Sequence, residues 1–329
     1  MRRLLTASWA MLIVLLAPAA ADAGLAIRNL DTSGPPAVRV AVLTQTPVNH
    51  APVVLEDGSP VAGLTAVNLG RQKNIVLAVD HSQSMHGRSL TDAAEAARRF
   101  IALGQGGDQF AILTFASETT VLAGFGAGAD AVGALDGLVV DPHYGTTLYD
   151  AVVKASQMLA GTGTGGRVLV LVTDGQETTS HATLKSAIQA ARKAHVAVYP
   201  VGIESISFSP VPLKRLAAST GGTYHGARSS SALTTIYATI SNELRRTWQI
   251  QYVTAARPGD QIHVKVTAPG YGSASSTATL AGTASGSSGS SNTGFLIAFA
   301  LAALIAVALL FRPALNAITS RTSRADSDF

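Results

Sequence analysis

Short β-branched runs that alternate with Ala-rich amphipathic stretches over residues 73–247 predict an α/β domain, with a mainly parallel sheet and helices on both faces. Three observations carry this. The runs Ile75 to Val79, Phe110 to Phe115, Val168 to Thr173 and Val196 to Val201 are mostly continuous in apolar residues, as strands covered on both faces are. Leu90 to Leu103, Leu148 to Leu159 and Leu184 to Ala194 carry helical periodicity between them. On either side of this region the period switches to two.

Taken in order, residues 1–23 have the form of a secretory signal peptide. Arg2 and Arg3 precede an apolar run from Leu4 to Leu16, and Ala21-Asp22-Ala23 fits a small-residue cleavage site. The run is short for an uncleaved anchor. In the N-terminal β segment, residues 24–72, Val38, Val40 and Val42 alternate with Arg39, and Glu56-Asp57-Gly58 suits a hairpin turn. Within the α/β region, Thr119 to Leu122 adds an edge hairpin to the strand before it. In the C-terminal β segment, residues 248–282, Trp248, Ile250 and Tyr252 alternate with Gln249 and Gln251. Ile262, Val264 and Val266 alternate with His263 and Lys265 beyond a turn at Arg257-Pro258-Gly259-Asp260. Neither flank has enough strands to stand alone. Together they predict one small antiparallel β-sandwich into which the α/β domain is inserted.

A Gly/Ser linker, residues 283–294, leads to Phe295–Phe311, seventeen apolar residues without a charge. At ~1.5 Å rise per residue this reaches across a bilayer core, which predicts a transmembrane helix. Arg312, Arg321 and Arg324 follow in the tail, residues 312–329, so the positive-inside rule puts the tail in the cytoplasm and the preceding domains outside. The expectation is a single-pass protein of the cell membrane.

Composition excludes several classes. The formal charge of +4 falls close to neutral once signal and tail are set aside, and no stretch interleaves basic with aromatic residues. A nucleic-acid partner is therefore not expected. There is no cysteine, which removes disulfides, thiol catalysis and thiolate metal sites together.

The chemistry lies in three short pieces. Asp80-His81-Ser82-Gln83-Ser84 ends the first strand of the α/β region, Gly145-Thr146 enters the helix beginning near Leu148, and Thr173-Asp174-Gly175 ends a later strand. All three fall beyond the carboxyl ends of strands, where open α/β sheets bind ligands. Singly, each has a plain explanation as a helix cap or a turn. Jointly they offer Asp80, Ser82, Ser84, Thr146 and Asp174, an all-oxygen set suited to a hard divalent cation such as Mg²⁺. Neutral hydroxyls leave such an ion's charge largely unquenched, so it can still accept a carboxylate from outside. This is a binding device that needs no catalytic step.

The segments Asp80-His81-Ser82-Gln83-Ser84-Met85, Gly145-Thr146-Thr147-Leu148-Tyr149-Asp150 and Leu171-Val172-Thr173-Asp174-Gly175 resemble the metal-ion-dependent adhesion site (MIDAS) of von Willebrand factor type A (vWA) domains. The resemblance covers roughly residues 73–247. It implies a Rossmann-like fold, bound Mg²⁺ or Mn²⁺, and a protein ligand that offers an acidic residue to the metal. It also implies Ser82, Ser84 and Thr146 as direct ligands, with Asp80 and Asp174 behind them or acting through water. Tyr144 departs from the pattern, standing where many members have a further glycine. The flanking segments, signal and terminal helix are similar to those of bacterial membrane-anchored members, whose roles are adhesion or complex assembly. The alternative is a metal-insensitive scaffold subunit of an envelope secretion or pilus machine.

Other motifs carry less. Gly161-Thr162-Gly163-Thr164-Gly165-Gly166 matches a dinucleotide fingerprint, but it follows a helix and precedes a strand, which is the reverse of the required context. Ser82, His81, His86 and Asp174 invite a hydrolase reading, yet no G-x-S-x-G elbow is present, and no enzyme is expected. His86, His143 and His181 fall on rim loops and suit partner contact or solvent. Asp141 and Glu177, on the same rim, either tune the charge a partner meets or are simply solvated, the latter for at least one of them. Ala298, Ala302 and Ala306 form a small-residue stripe on the expected membrane helix.

Overall fold

The computed structural model describes residues 24–163, 165–204 and 208–281. The expected signal peptide, the Gly/Ser linker, the membrane helix and the tail lie outside the described residues. Among the described residues, no helix is long and apolar enough to cross a membrane.

The N-terminal flank supplies β1 (Leu25–Gly34), β2 (Ala37–Thr44), β3 (Val53–Glu56), β4 (Ser59–Pro60) and β5 (Ala62–Asn68). The α/β region follows with β6 (Lys73–Asp80), α1 (Arg88–Ala102), β7 (Gln109–Phe115), β8 (Thr119–Gly126), α2 (Gly128–Ala134), α3 (Leu148–Ala160), β9 (Gly166–Thr173), α4 (Leu184–Lys193), β10 (Ala197–Ile203), α5 (Val211–Thr220), β11 (His225–Ala227) and α6 (Leu233–Leu244). The C-terminal flank adds β12 (Thr247–Val253), β13 (Gln261–Ala268) and β14 (Gly272–Thr279).

The central sheet runs β11-β10-β9-β6-β7-β8. All pairings are parallel except that of β8, which folds back on β7 as the expected edge hairpin. All eight residues of β6 are buried, which explains its lack of alternation. Its side chains divide between two cores: Ile75, Leu77 and Val79 pack with α1 and α6, and Val76 and Ala78 with α3, α4 and α5. Helix α1 turns Leu90, Ala93, Ala97, Phe100 and Ile101 inward at helical spacing. Helix α4 starts at a capping box in which Thr183 and Ser186 exchange hydrogen bonds.

The two flanks interleave. Strand order β1-β2-β12-β5 places a C-terminal strand between two N-terminal ones, and β14-β13-β3-β4 forms a second antiparallel sheet. Val38, Val40, Val42, Trp248, Ile250 and Tyr252 from the first sheet share one core with Val54, Ile262, Val264 and Val266 from the second. The turn expected at Glu56-Asp57-Gly58 joins β3 to β4, with positive φ at Asp57 and Gly58 (49° and 82°), the backbone of a tight hairpin. Where the chain enters and leaves the α/β domain, the Leu69 amide donates to the Thr247 carbonyl at 2.9 Å.

Several elements were not anticipated from the sequence: β1, β5, β11, β14, α2, α5 and α6. Strand β14 consists of Gly, Ser, Ala and Thr and has no apolar stripe to betray it. It exists because β13 offers it eight residues of register.

Candidate metal site

Strand β6 ends at Asp80, whose side chain is wholly buried. Its Oδ1 accepts the Ser82 amide at 2.8 Å, and its Oδ2 accepts the Thr173 hydroxyl at 2.5 Å. The first bond turns the chain out of the strand. The second ties it to the end of β9, the neighbouring strand. A single 3₁₀ turn, Gln83–Met85, follows, anchored by fully buried Met85. This turn brings the Ser82 and Ser84 hydroxyls to 3.1 Å of each other, and the Ser84 hydroxyl donates to Asp174 Oδ1 at 2.6 Å.

Thr146 arrives from the loop before α3. Gly145 has φ +141°, and a Cβ there would come within 2.9 Å of Thr179 Oγ1 and 3.1 Å of Ser117 Cα, so the position requires glycine. Thr146 is then clasped by Thr178: its amide donates to Thr178 Oγ1 (2.9 Å), and its carbonyl accepts the Thr178 amide (3.1 Å). The Thr147 amide donates to the Ala116 carbonyl at 2.8 Å.

These loops converge on one point. A Cβ placed on Gly175 would lie 3.4 Å from Ser84 Oγ, 3.6 Å from Thr146 Oγ1 and 3.7 Å from Asp80 Oδ2. The glycine hydrogen leaves open a small cradle beside the third segment, walled by oxygen from the other two. Burial pushes the Asp80 carboxyl up to about 6 despite hydrogen bonds from Ser82 and Thr173, and the nearby Asp174 adds to the rise. Burial also raises Asp174, against the bond from Ser84. Among the described residues, no Lys or Arg forms an ion pair with either carboxylate. One buried and one partly buried carboxylate without a basic partner create a deficit of positive charge. An oxygen-only cradle beside them fits a hard divalent cation. Among the described residues, no cluster of three or more His, Cys, Asp or Glu side chains is placed to hold a metal, so hydroxyls are integral to this fit.

All five residues singled out in the sequence meet here. Thr173, Thr178 and Gly175 matter as well: the first two position Asp80 and Thr146, and the third leaves the space. Only the strand-end placement of Thr173 and Gly175 hinted at this, whereas Thr178 has no local signature.

The reading of Asp141 and Glu177 as charges facing a partner is corrected. Asp141 accepts from the Ser117 amide and hydroxyl and from the His143 amide, which braces the rim loop. Burial works against its charge, but hydrogen bonds from Ser117 and His143 prevail and hold the carboxyl below its usual range. Glu177 accepts from the Tyr149 and Ser180 amides and the Ser180 hydroxyl, which joins its loop to the start of α3. Both serve the scaffold. His181 leans on Asp150, and the His81 ring meets the Val139 carbonyl, so neither forms a Ser-His pair. Tyr144 projects into solvent, 86% exposed, beside the cradle.

Residues 74–239, just over half the chain, match the family model of the von Willebrand factor type A domain. The chain belongs to that family, whose members typically serve in protein interaction or adhesion and are generally not catalytic. No curated protein matches the sequence. Among solved structures, proximal thread matrix protein 1 from the mussel byssus is similar at 20% identity and TM-score 0.50, over 58% of this chain and 51% of that one. The chain thus spans about half the length of that protein. A von Willebrand factor type A protein from Catenulispora acidiphila is similar at 14% identity and TM-score 0.50, over 80% of this chain and 74% of that one. At these identities the likeness concerns the fold alone.

Proposed function

We propose that the chain is a membrane-anchored, extracytoplasmic adhesion or assembly module that grips a protein partner through a divalent cation, Mg²⁺ or Mn²⁺. The observation that carries this is the convergence of Ser84 Oγ, Thr146 Oγ1 and Asp80 Oδ2 around one open point at Gly175. Ser82, Ser84 and Thr146 would hold the ion as neutral ligands, with Asp80 and Asp174 supplying the negative charge that keeps it there. When bound, such a cation offers a site of positive charge to a carboxylate on the partner. The protein groups do the rest. Thr173 and the Ser82 amide fix the Asp80 carboxylate, and Thr178 fixes Thr146, so the cradle is built before any ligand arrives. The surrounding loops, with exposed Tyr144 beside the cradle, supply contact area. The signal and anchor segments read from the sequence would orient this face away from the cell.

Calorimetric titration of the full chain with MgCl₂ and MnCl₂ tests the reading. One ion should bind, and Asp80→Ala should abolish binding. Equal binding by wild type and variant would sink it. Capture of a partner from membranes should then be lost in EDTA; capture that persists in EDTA would point to the scaffold role.

A further inference from the structure

A cavity lies at the opposite end of the central sheet. Val38, Val40, Val42, Trp248, Ile250 and Tyr252 turn into the flanking core, so Arg39, Gln249 and Gln251 are left on the outer face of that sheet. This face looks toward the α/β domain. Across the gap stand Arg167, near the start of β9, and Arg192 and His195, at the end of α4 and just beyond it. Together they enclose a cavity of about 550 Å³, a volume suited to a small organic molecule.

Its charge is unbalanced. Three guanidinium groups line it beside one carboxylate, that of Asp31, whose side chain is 3% exposed. Asp31 Oδ2 serves both Arg192 Nε at 3.3 Å and Arg39 Nη1 at 3.6 Å. Arg39 Nε donates to Gln251 Oε1, and Arg192 donates to the Ser219 carbonyl and to Ser33 Oγ. Among the described residues, Nη2 of Arg39 and Nη2 of Arg192 meet no acceptor. Arg167 spends its terminal nitrogens on the Ala194 and Thr162 carbonyls and has no carboxylate partner among the described residues. Burial lowers the His195 pKa, and the charges of Arg39 and Arg167 lower it further, so the ring adds little positive charge of its own. A cluster built only to staple the two parts together would match its cations with anions. Here two positive charges remain in a recess that focuses their field. Ala41, Val67 and Val196 supply apolar wall.

We propose that this cavity binds a small organic anion, its carboxylate or phosphate set among Arg39, Arg167 and Arg192 and its apolar body against Ala41, Val67 and Val196. Planar guanidinium groups with unused donors suit either head group. Such a ligand touches residues of both the sheet β1-β2-β12-β5 and the α/β domain, so its binding joins the two.

Calorimetry of the full chain with 1-naphthyl phosphate and 1-naphthoate tests this. At least one should bind at one equivalent, and the preferred one assigns the head group. 1-Naphthylmethylamine, with the same body and the opposite charge, should not bind. Arg39→Gln removes charge, and Thr65→Trp, on exposed strand β5, fills the entrance; each should weaken the anion at least tenfold. Since Arg39 also braces Asp31, Thr65→Trp decides the matter if Arg39→Gln does not fold. The proposal is overturned if neither anion binds wild type, if the folded variants bind as wild type does, or if the amine binds as tightly.

Discussion

The hydroxyl of Thr173 donates to Oδ2 of Asp80, joining the last residues of two adjacent parallel strands at the edge of the candidate site. Because Asp80 is buried and lacks a basic partner, this bond is one of the few that keep its carboxylate oriented. Thr173→Val preserves shape and removes the donor. It should lower stability by about 2 kcal/mol, the scale of a hydrogen bond to a charged group. Mg²⁺ affinity should fall about tenfold, equivalent to ~1.4 kcal/mol. Chemical denaturation and calorimetry check the two effects separately.

Gly175→Ala addresses the space itself. The added methyl would meet its nearest neighbour at 3.4 Å, an ordinary contact, so the thermal midpoint should stay close to that of wild type. The methyl would occupy the place the three oxygens surround, and divalent-ion binding should weaken by at least ~1.4 kcal/mol, tenfold, in calorimetry. A variant that binds Mg²⁺ as wild type does would show that the cation sits elsewhere.

Asp141 links the rim to pH. Its carboxyl is held below its ordinary value of 3.8, so the folded state favours the ionised form more than the unfolded state does. The stabilisation is complete above about pH 4 and is lost as pH falls further below that value. Asp141→Asn should therefore be less stable than wild type at pH 7, with the gap narrowing at pH 3. Urea denaturation at the two pH values measures it.

At the far end of β6, Lys73 Nζ lies 2.7 Å from Asp108 Oδ2, with side chains 7% and 0% exposed. Asp108 also accepts the Lys73 and Gln105 amides. Asp108→Ala strands a buried ammonium and two amides, and should cost about 3–5 kcal/mol in chemical denaturation. Adding Lys73→Met to that variant should recover part of the loss, because it removes the stranded charge.

The strands β6, β7, β9 and β10 were legible because burial on both faces forces unbroken apolar runs. Asp80, Ser82, Ser84 and Asp174 were legible because they sit at or just beyond strand ends, and Thr146, in the loop between α2 and α3, because Gly145-Thr146 completes the motif. Thr178 was not, since its role depends on meeting Thr146 in space. Asp141 and Glu177 were misread because a sequence shows an acid on a loop but not the amides it accepts. Helices α5 and α6 escaped notice because Pro212 and the Thr-rich start of α6 blur their periodicity. The interleaving of β12 between β2 and β5 had only an outline in the alternating flanks, since alternation gives faces and not neighbours.

That interleaving pairs strands that lie far apart along the chain. Strands β2 and β5 are made early, yet the strand that fits between them begins about 180 residues beyond β5 and about 200 beyond β2. Until it emerges, both present unpaired edges, the kind of surface that invites pairing with other chains. In the folded chain the inserted domain brings Leu69 to Thr247, at the start of the strand that fills this slot. The domain that would carry the recognition site thus also draws together the two stretches of chain from which its flanking sheets are built.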